Sequence, residues 1–209
     1  MALVKYNNNS LSAVTSTAGM PAGAMTLIKS QTASSSSTIS FVHGTSDVVL
    51  DGTYPIYKFI WINVHPATDD VDFQVGFRDG GSNYNVTATT SAFVSLHYED
   101  DSDASVSYST GQDQAQGTSF ELLTDNIVDS GTTVANDNSA SGYLILFNPS
   151  STVFVKHFMS KANHVNGGPY CLLSTHAGYF NTTSAIDEIQ FKMSSGNIDA
   201  GTFKLYGVS

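Results

Sequence analysis

The sequence predicts an all-β protein: a jelly-roll β-sandwich with an extended N-terminal arm. Three observations carry that reading. Short runs rich in β-branched and aromatic residues recur along almost the whole chain. Loops dense in Gly, Asn, Asp and Ser separate them, as at Asp79-Gly80-Gly81-Ser82-Asn83, where positive φ at Gly and Asx hydrogen bonds make turns. No stretch shows a capped apolar stripe of helical period. About ten strands at this spacing without helices point to a β-sandwich, with the jelly roll favoured among sandwiches. An internal repeat of about 20–50 residues, the mark of propellers and solenoids, is absent.

Residues 1–24 mix small, polar, Gly and Pro residues with scattered apolar ones and hold no period of strand or helix. They read as a docking arm. Leu3, Val4, Tyr6, Leu11 and Val14 are its predicted anchors, seated in a groove of a neighbouring subunit or a partner protein and helped by backbone hydrogen bonds; the alternative is a first strand tucked back onto its own sandwich. Residues 25–209 read as one sandwich domain. Its first strand is the short apolar run 25–30, and the serine tract 34–37 separates it from the next. The next, 38–43, sets Ile39, Phe41 and His43 on one face. Residues 56–64 carry large apolar side chains on both faces, Tyr57, Phe59 and Trp61 against Ile56, Ile60 and Ile62. That suits a central strand, with Lys58 needing a wet or paired end. Residues 72–78 alternate Phe73, Val75 and Phe77 with small or polar residues, as a half-buried strand does. Further strands are predicted at 92–98, 119–123, 142–147, 152–158, 170–175, 186–193 and 202–206. The predicted core holds Phe41, Phe59, Trp61, Phe73, Phe77, Leu144, Leu146, Phe154, Phe191 and Leu205.

The chain has 209 residues, enough for one substantial core and too few for two comfortable domains. Charged residues make up only 12%, against a usual share of about 25%. Ser, Thr and Asn fill the gap at roughly a third of the chain. Eight Lys and Arg against eighteen Asp and Glu leave a net charge of −10. That balance disfavours nucleic-acid phosphates and anionic membranes, both of which need clustered cations. With 41% apolar residues the chain is no disordered acidic tail. The expectation is a soluble, folded, acidic protein. Its one cysteine, Cys171, excludes internal disulfides and cysteine-rich zinc or iron–sulfur sites. The opening residues lack the apolar run of a signal peptide, and no stretch of about 18 apolar residues occurs to cross a membrane.

Candidate chemistry is thin. The clusters Glu99-Asp100-Asp101-Ser102-Asp103 and Asp69-Asp70-Val71-Asp72 could supply oxygen ligands to Ca²⁺, yet neither has the spacing of an EF-hand loop, and both read as solvated turn tips. His43, His65, His97, His157, His164 and His176 form no zinc-binding spacing and read as hydrogen-bonded rings or turn residues. No nucleophile elbow is present, and Cys171 reads as a buried inert thiol. Tyr84, Tyr98, Tyr108 and Tyr179 in or near polar loops could stack on a glycan, although sandwiches carry such aromatics regardless. Asn85-Val86-Thr87 and Asn181-Thr182-Thr183 match the glycosylation pattern by chance in a chain with no visible secretory signal. No cofactor, metal site or catalytic residue is predicted, and the chain is expected not to be an enzyme.

The start Ala2-Leu3-Val4-Lys5-Tyr6-Asn7-Asn8-Asn9-Ser10-Leu11 and the block Tyr57-Lys58-Phe59-Ile60-Trp61-Ile62-Asn63-Val64-His65-Pro66-Ala67-Thr68-Asp69-Asp70 resemble small β-rich virion structural proteins of marine tailed phages. Asp79-Gly80-Gly81-Ser82-Asn83-Tyr84 and the ending Gly201-Thr202-Phe203-Lys204-Leu205-Tyr206-Gly207-Val208 are similar to the same group. The resemblance runs over most of the chain from Ile39 onward and brings no catalytic residue with it. It implies a capsid decoration or cement protein, or alternatively the carbohydrate- or receptor-binding head of a tail or head fibre. It also implies self-association, often as trimers, with the major capsid protein or another virion protein as partner and a host-surface glycan as the ligand of the alternative. The implied place is the surface of the virion, assembled in the host cytoplasm.

Overall fold

The structure is a computed structural model and describes residues 24–127, 138–166 and 170–209. The described residues form thirteen strands and no helix. They are β1 (Met25–Ser36), β2 (Ile39–Val42), β3 (Ile56–Pro66), β4 (Phe73–Arg78), β5 (Ala88–Tyr98), β6 (Ala104–Tyr108) and β7 (Ala115–Gly117). After them come β8 (Glu121–Leu122), β9 (Ala140–Phe147), β10 (Lys156–Asn166), β11 (Tyr170–Phe180), β12 (Glu188–Met193) and β13 (Ile198–Val208).

Two antiparallel sheets result. The larger has nine strands in the order β1-β13-β3-β9-β10-β11-β5-β6, with β7 also pairing β5; the smaller has the order β2-β12-β4-β8. They pack face to face through aromatic rings, because alternate residues of every strand point to one side. Phe41 of β2 meets Phe59 of β3 edge-on at 5.4 Å, and Trp61 of β3 meets Phe73 of β4 at 5.5 Å. Phe191 of β12 lies 5.4 Å from Phe203 of β13, and Phe77 of β4 lies 4.4 Å from Phe180 of β11. Nine of the ten predicted core residues are buried here.

The tenth is not. Phe154 is 71% exposed. The backbone at Val153 and Phe154 turns, with both N–H groups donating to Ser151 Oγ at 3.3 and 3.1 Å, and the strand starts only at Lys156. Cys171 is also exposed, because odd-numbered residues of β11 face outward while Leu172, Ser174, His176 and Phe180 point in. The serine tract does not end β1. Backbone pairing with β13 continues to Ser36 opposite Ile198, and an edge strand needs no apolar side chain to keep that ladder. Residues 163–166, outside every predicted strand, belong to β10, whereas β6 and β7 were hidden by their low apolar content. The arm 1–24 and its five anchors lie outside the described residues, except for Ala24.

Candidate interaction surface

The two sheets treat their outer faces differently. That of the smaller sheet is closed by its own side chains. Arg78 donates to Asp187 (3.1 Å) and to Glu188 (2.5 Å), and Tyr84 donates its hydroxyl hydrogen to Glu188. Gln190 Nε2 donates to Ser40 Oγ at 2.9 Å and to the Tyr84 oxygen at 3.0 Å. Burial, with the Glu188 contact adding to it, pushes the Tyr84 phenol up to about 12. Phe120 fills the space over Gly76, and the Lys192 ammonium sits 4.3 Å above its ring.

The outer face of the larger sheet has no such cover among the described residues. Strand register sets its side chains in rows. One row runs Tyr206, Lys58, Ile145, Met159, Ala177, Ser91 across β13, β3, β9, β10, β11 and β5. The adjacent row runs Lys204, Ile60, Tyr143, Lys161, Thr175, Phe93, Tyr108. Met159 is 48% and Phe93 49% exposed. The small residues Ser91 and Ala177 leave a depression of about 460 Å³ between Phe147, His157, Met159 and Tyr179. β3 therefore buries Tyr57, Phe59 and Trp61 and leaves Ile60 half-covered and Ile62 exposed. The second apolar side of the pattern that marked a central strand in the sequence lies on an outer face that no described residue covers.

Charge is sorted on this surface as well. β3, β5, β9, β10 and β11 contain no Asp or Glu. The outer rows carry Lys58, Lys161 and Lys204, with the Lys58 ammonium 4.8 Å over the Tyr143 ring, so the lysine predicted to need a partner has one. Carboxylates gather instead in the turn between β5 and β6, where Glu99, Asp100, Asp101 and Asp103 are all exposed. Asp100 accepts from the Ser102 N–H at 3.0 Å, which lowers its pKa, and Asp101 accepts from His97 Nε2 at 3.1 Å. This is the solvated turn the sequence predicts.

A second cluster of polar groups lies inside. The inner face of β10, β11 and β5 carries buried Ser160, Ser174, His176 and Thr90, and the buried Glu121 of β8 lies near Thr90. Burial raises Glu121 to about 7, and neither of its carboxylate oxygens has a hydrogen-bond partner among the described residues. Burial also lowers His176 to about 4, and its Nδ1 lies 3.4 Å from Ser160 Oγ. His164 is lowered by burial too, partly offset by its Nε2 donating to the Asp125 carbonyl at 2.6 Å. Ser160 is 1% exposed, so the serine–imidazole pair is closed to substrate. Among the described residues no three His, Cys, Asp or Glu converge as metal ligands.

The tyrosines singled out in the sequence do not converge. Tyr84 is in the small-sheet network and Tyr98 packs on Tyr170 at 4.8 Å. Tyr108 donates to Asp113 at 2.6 Å, and Tyr179 flanks the depression. Comparison with protein-family models, with curated proteins and with solved structures finds no match.

Proposed function

We propose that this chain is a non-enzymatic virion structural protein of a tailed phage, a self-associating jelly roll that decorates or cements the capsid. The observation that carries the reading is the outer face of the larger sheet, uncovered among the described residues and carrying exposed Ile62, Phe93, Val106, Tyr108 and Met159, while the smaller sheet is closed by side chains. Exposed apolar patches of this breadth mark protein interfaces. The strand order supports the jelly roll. Taken alone, β1-β13-β3-β9 against β2-β12-β4-β8 pairs the first strand with the last and the second with the next to last, as two interlocked Greek keys do. On that reading β5–β7 and the β10–β11 pair are insertions that widen one sheet. The arm 1–24, with Leu3, Val4, Tyr6, Leu11 and Val14, supplies the docking to the major capsid protein or another virion protein.

The test is a quantitative mass-spectrometric copy count on phage particles purified from the source of the gene. Capsid decoration gives tens to hundreds of copies per particle. Absence from particles overturns the proposal. A second reading, the carbohydrate- or receptor-binding head of a fibre, draws on a groove of about 500 Å³ lined by Asp72, Gln74, Gln112, Asp113, Gln114 and Phe120. Its amides and carboxylates suit sugar hydroxyls. Against it, the Phe120 ring already carries the Lys192 ammonium 4.3 Å from its centroid, where a sugar would stack. A few copies confined to the tail would favour this reading instead.

A further inference from the structure

We infer that the outer face of the larger sheet is a two-fold interface between two copies of this chain, with the acidic β5–β6 turn of each copy set over the lysines of the other. The inference rests on the self-association in the function proposed above and names its contact surface.

Three features point to a second copy. The first is area. The five strands β3, β9, β10, β11 and β5 lie about 4.8 Å apart and reach about 35 Å in length, so together they present roughly 800 Å², the share one partner contributes to a standard interface. The second is shape. Met159 stands half-exposed at the edge of the depression over Ala177, and Phe93 stands half-exposed elsewhere on the same face, so protrusions and a hollow occur on one surface. A self-complementary patch needs both.

The third is charge. The chain carries −10 overall, yet the face offers Lys58, Lys161 and Lys204 and no carboxylate on its five central strands. Stacked directly, two such faces would repel. The carboxylates Glu99, Asp100, Asp101 and Asp103 lie beyond β5, on the side of the sheet away from Lys204 and Lys58 on β13 and β3. A copy turned about a two-fold axis between the two ends sets each end over its opposite, since in an isologous contact residue i meets j and j meets i. Apolar side chains fill the middle and opposite charges fix the register. The adjoining β6 is exposed at every residue, with Val106 76% exposed, and extends the apolar area toward the acidic end.

The experiment is sedimentation equilibrium on the full chain, with circular dichroism to verify folding. The wild type is expected to be dimeric at micromolar concentration. Met159→Glu, at the centre of the face, is expected to leave a folded monomer. Lys58→Glu with Lys204→Glu, or Asp100→Lys with Asp101→Lys, should each raise the dissociation constant about tenfold or more, because like charges then face each other. Carrying all four changes at once restores opposite signs and should recover most of the wild-type affinity. All four side chains lie at the surface, so the charge variants report on contact even if Met159→Glu fails to fold. A monomeric wild type, or a four-fold variant no tighter than the charge pairs alone, overturns the inference. A monomeric chain found at high copy on particles would overturn it while leaving the virion reading intact.

Discussion

The ring of Phe120 lies directly over the α-carbon of Gly76: a β-carbon there would come within 2.5 Å of its Cε1 and Cζ. Gly76 is the middle of β4, where the alternation of Phe73, Val75 and Phe77 toward the core leaves Gln74, Gly76 and Arg78 facing out. The missing side chain is thus the floor for a residue from the segment before β8. Lys192 closes the other side of the ring, so Phe120 cannot simply lift away.

Gly76→Ala should therefore destabilise the fold by about 1–3 kcal/mol, the usual cost of overpacking. Gly76 has no left-handed φ, so the cost is steric. Urea denaturation checks this, and a cycle with Phe120→Ala isolates the contact. Once the ring is gone, adding Gly76→Ala should cost much less. Equal costs with and without the ring would show that Phe120 is not the obstacle.

Phe191 and Phe154 form the sharpest contrast among the aromatic residues. Phe191 lies within 6.4 Å of Phe41, Phe59, Trp61, Phe73 and Phe203, centroid to centroid. Phe191→Ala should cost about 3–5 kcal/mol in denaturant unfolding. Phe154→Ala should stay within about 0.5 kcal/mol of wild type, as surface changes do. A comparable loss at both sites would contradict their burial.

These two phenylalanines also show what the sequence could and could not reveal. Period-2 alternation identified the buried face of β2 and β4 and set Tyr57, Phe59 and Trp61 of β3 on one face, because burying one face of a sheet dictates it. Phe154 was misread because apolar residues in a row look like a strand whether or not the backbone bonds to a neighbour. The serine oxygen that turns the chain back at Ser151 leaves no apolar signature. Cys171 was misread for a related reason. Its neighbours are apolar on both faces, Leu172 inward and Leu173 outward, so composition alone could not set its side. The bare sheet face was visible only as excess: Ile60 and Ile62 were more apolar than a solvated face requires. The inner polar groups were invisible, since Ser160 and His176 meet only through the pairing of β10 with β11, and Glu121 sits on a strand of two residues.

Cys171 accepts an N–H from Asn163 at 3.0 Å and is open to solvent. In dilute solution, where no second copy covers the face, a maleimide should label the folded chain once, at a rate close to that of the unfolded chain. Labelling that appears only in denaturant would place the thiol inside. At concentrations that favour association, partial protection is expected, because the residue lies on the face assigned to the second copy.

The last prediction concerns the inner polar cluster. Glu121 is raised by burial from 4.5 to about 7, so its contribution to stability is fully present below about pH 4.5 and is lost as pH rises through about 7. His176 is lowered from 6.5 to about 4, so its contribution is present above about pH 6.5 and is lost as pH falls through about 4. Each shift corresponds to roughly 3 kcal/mol. Between about pH 4.5 and 6.5 the two slopes have opposite sign and similar size, so the wild type should be nearly flat there. Asp125, raised, and His164, lowered, oppose each other in the same sense. Single substitutions remove one slope and expose the other. Stability of Glu121→Gln should rise with pH across that window, whereas stability of His176→Asn should fall. Guanidinium unfolding at half-unit steps of pH reads both. Two variants that keep the flat profile of the wild type would mean that neither group is held away from water in its charged form.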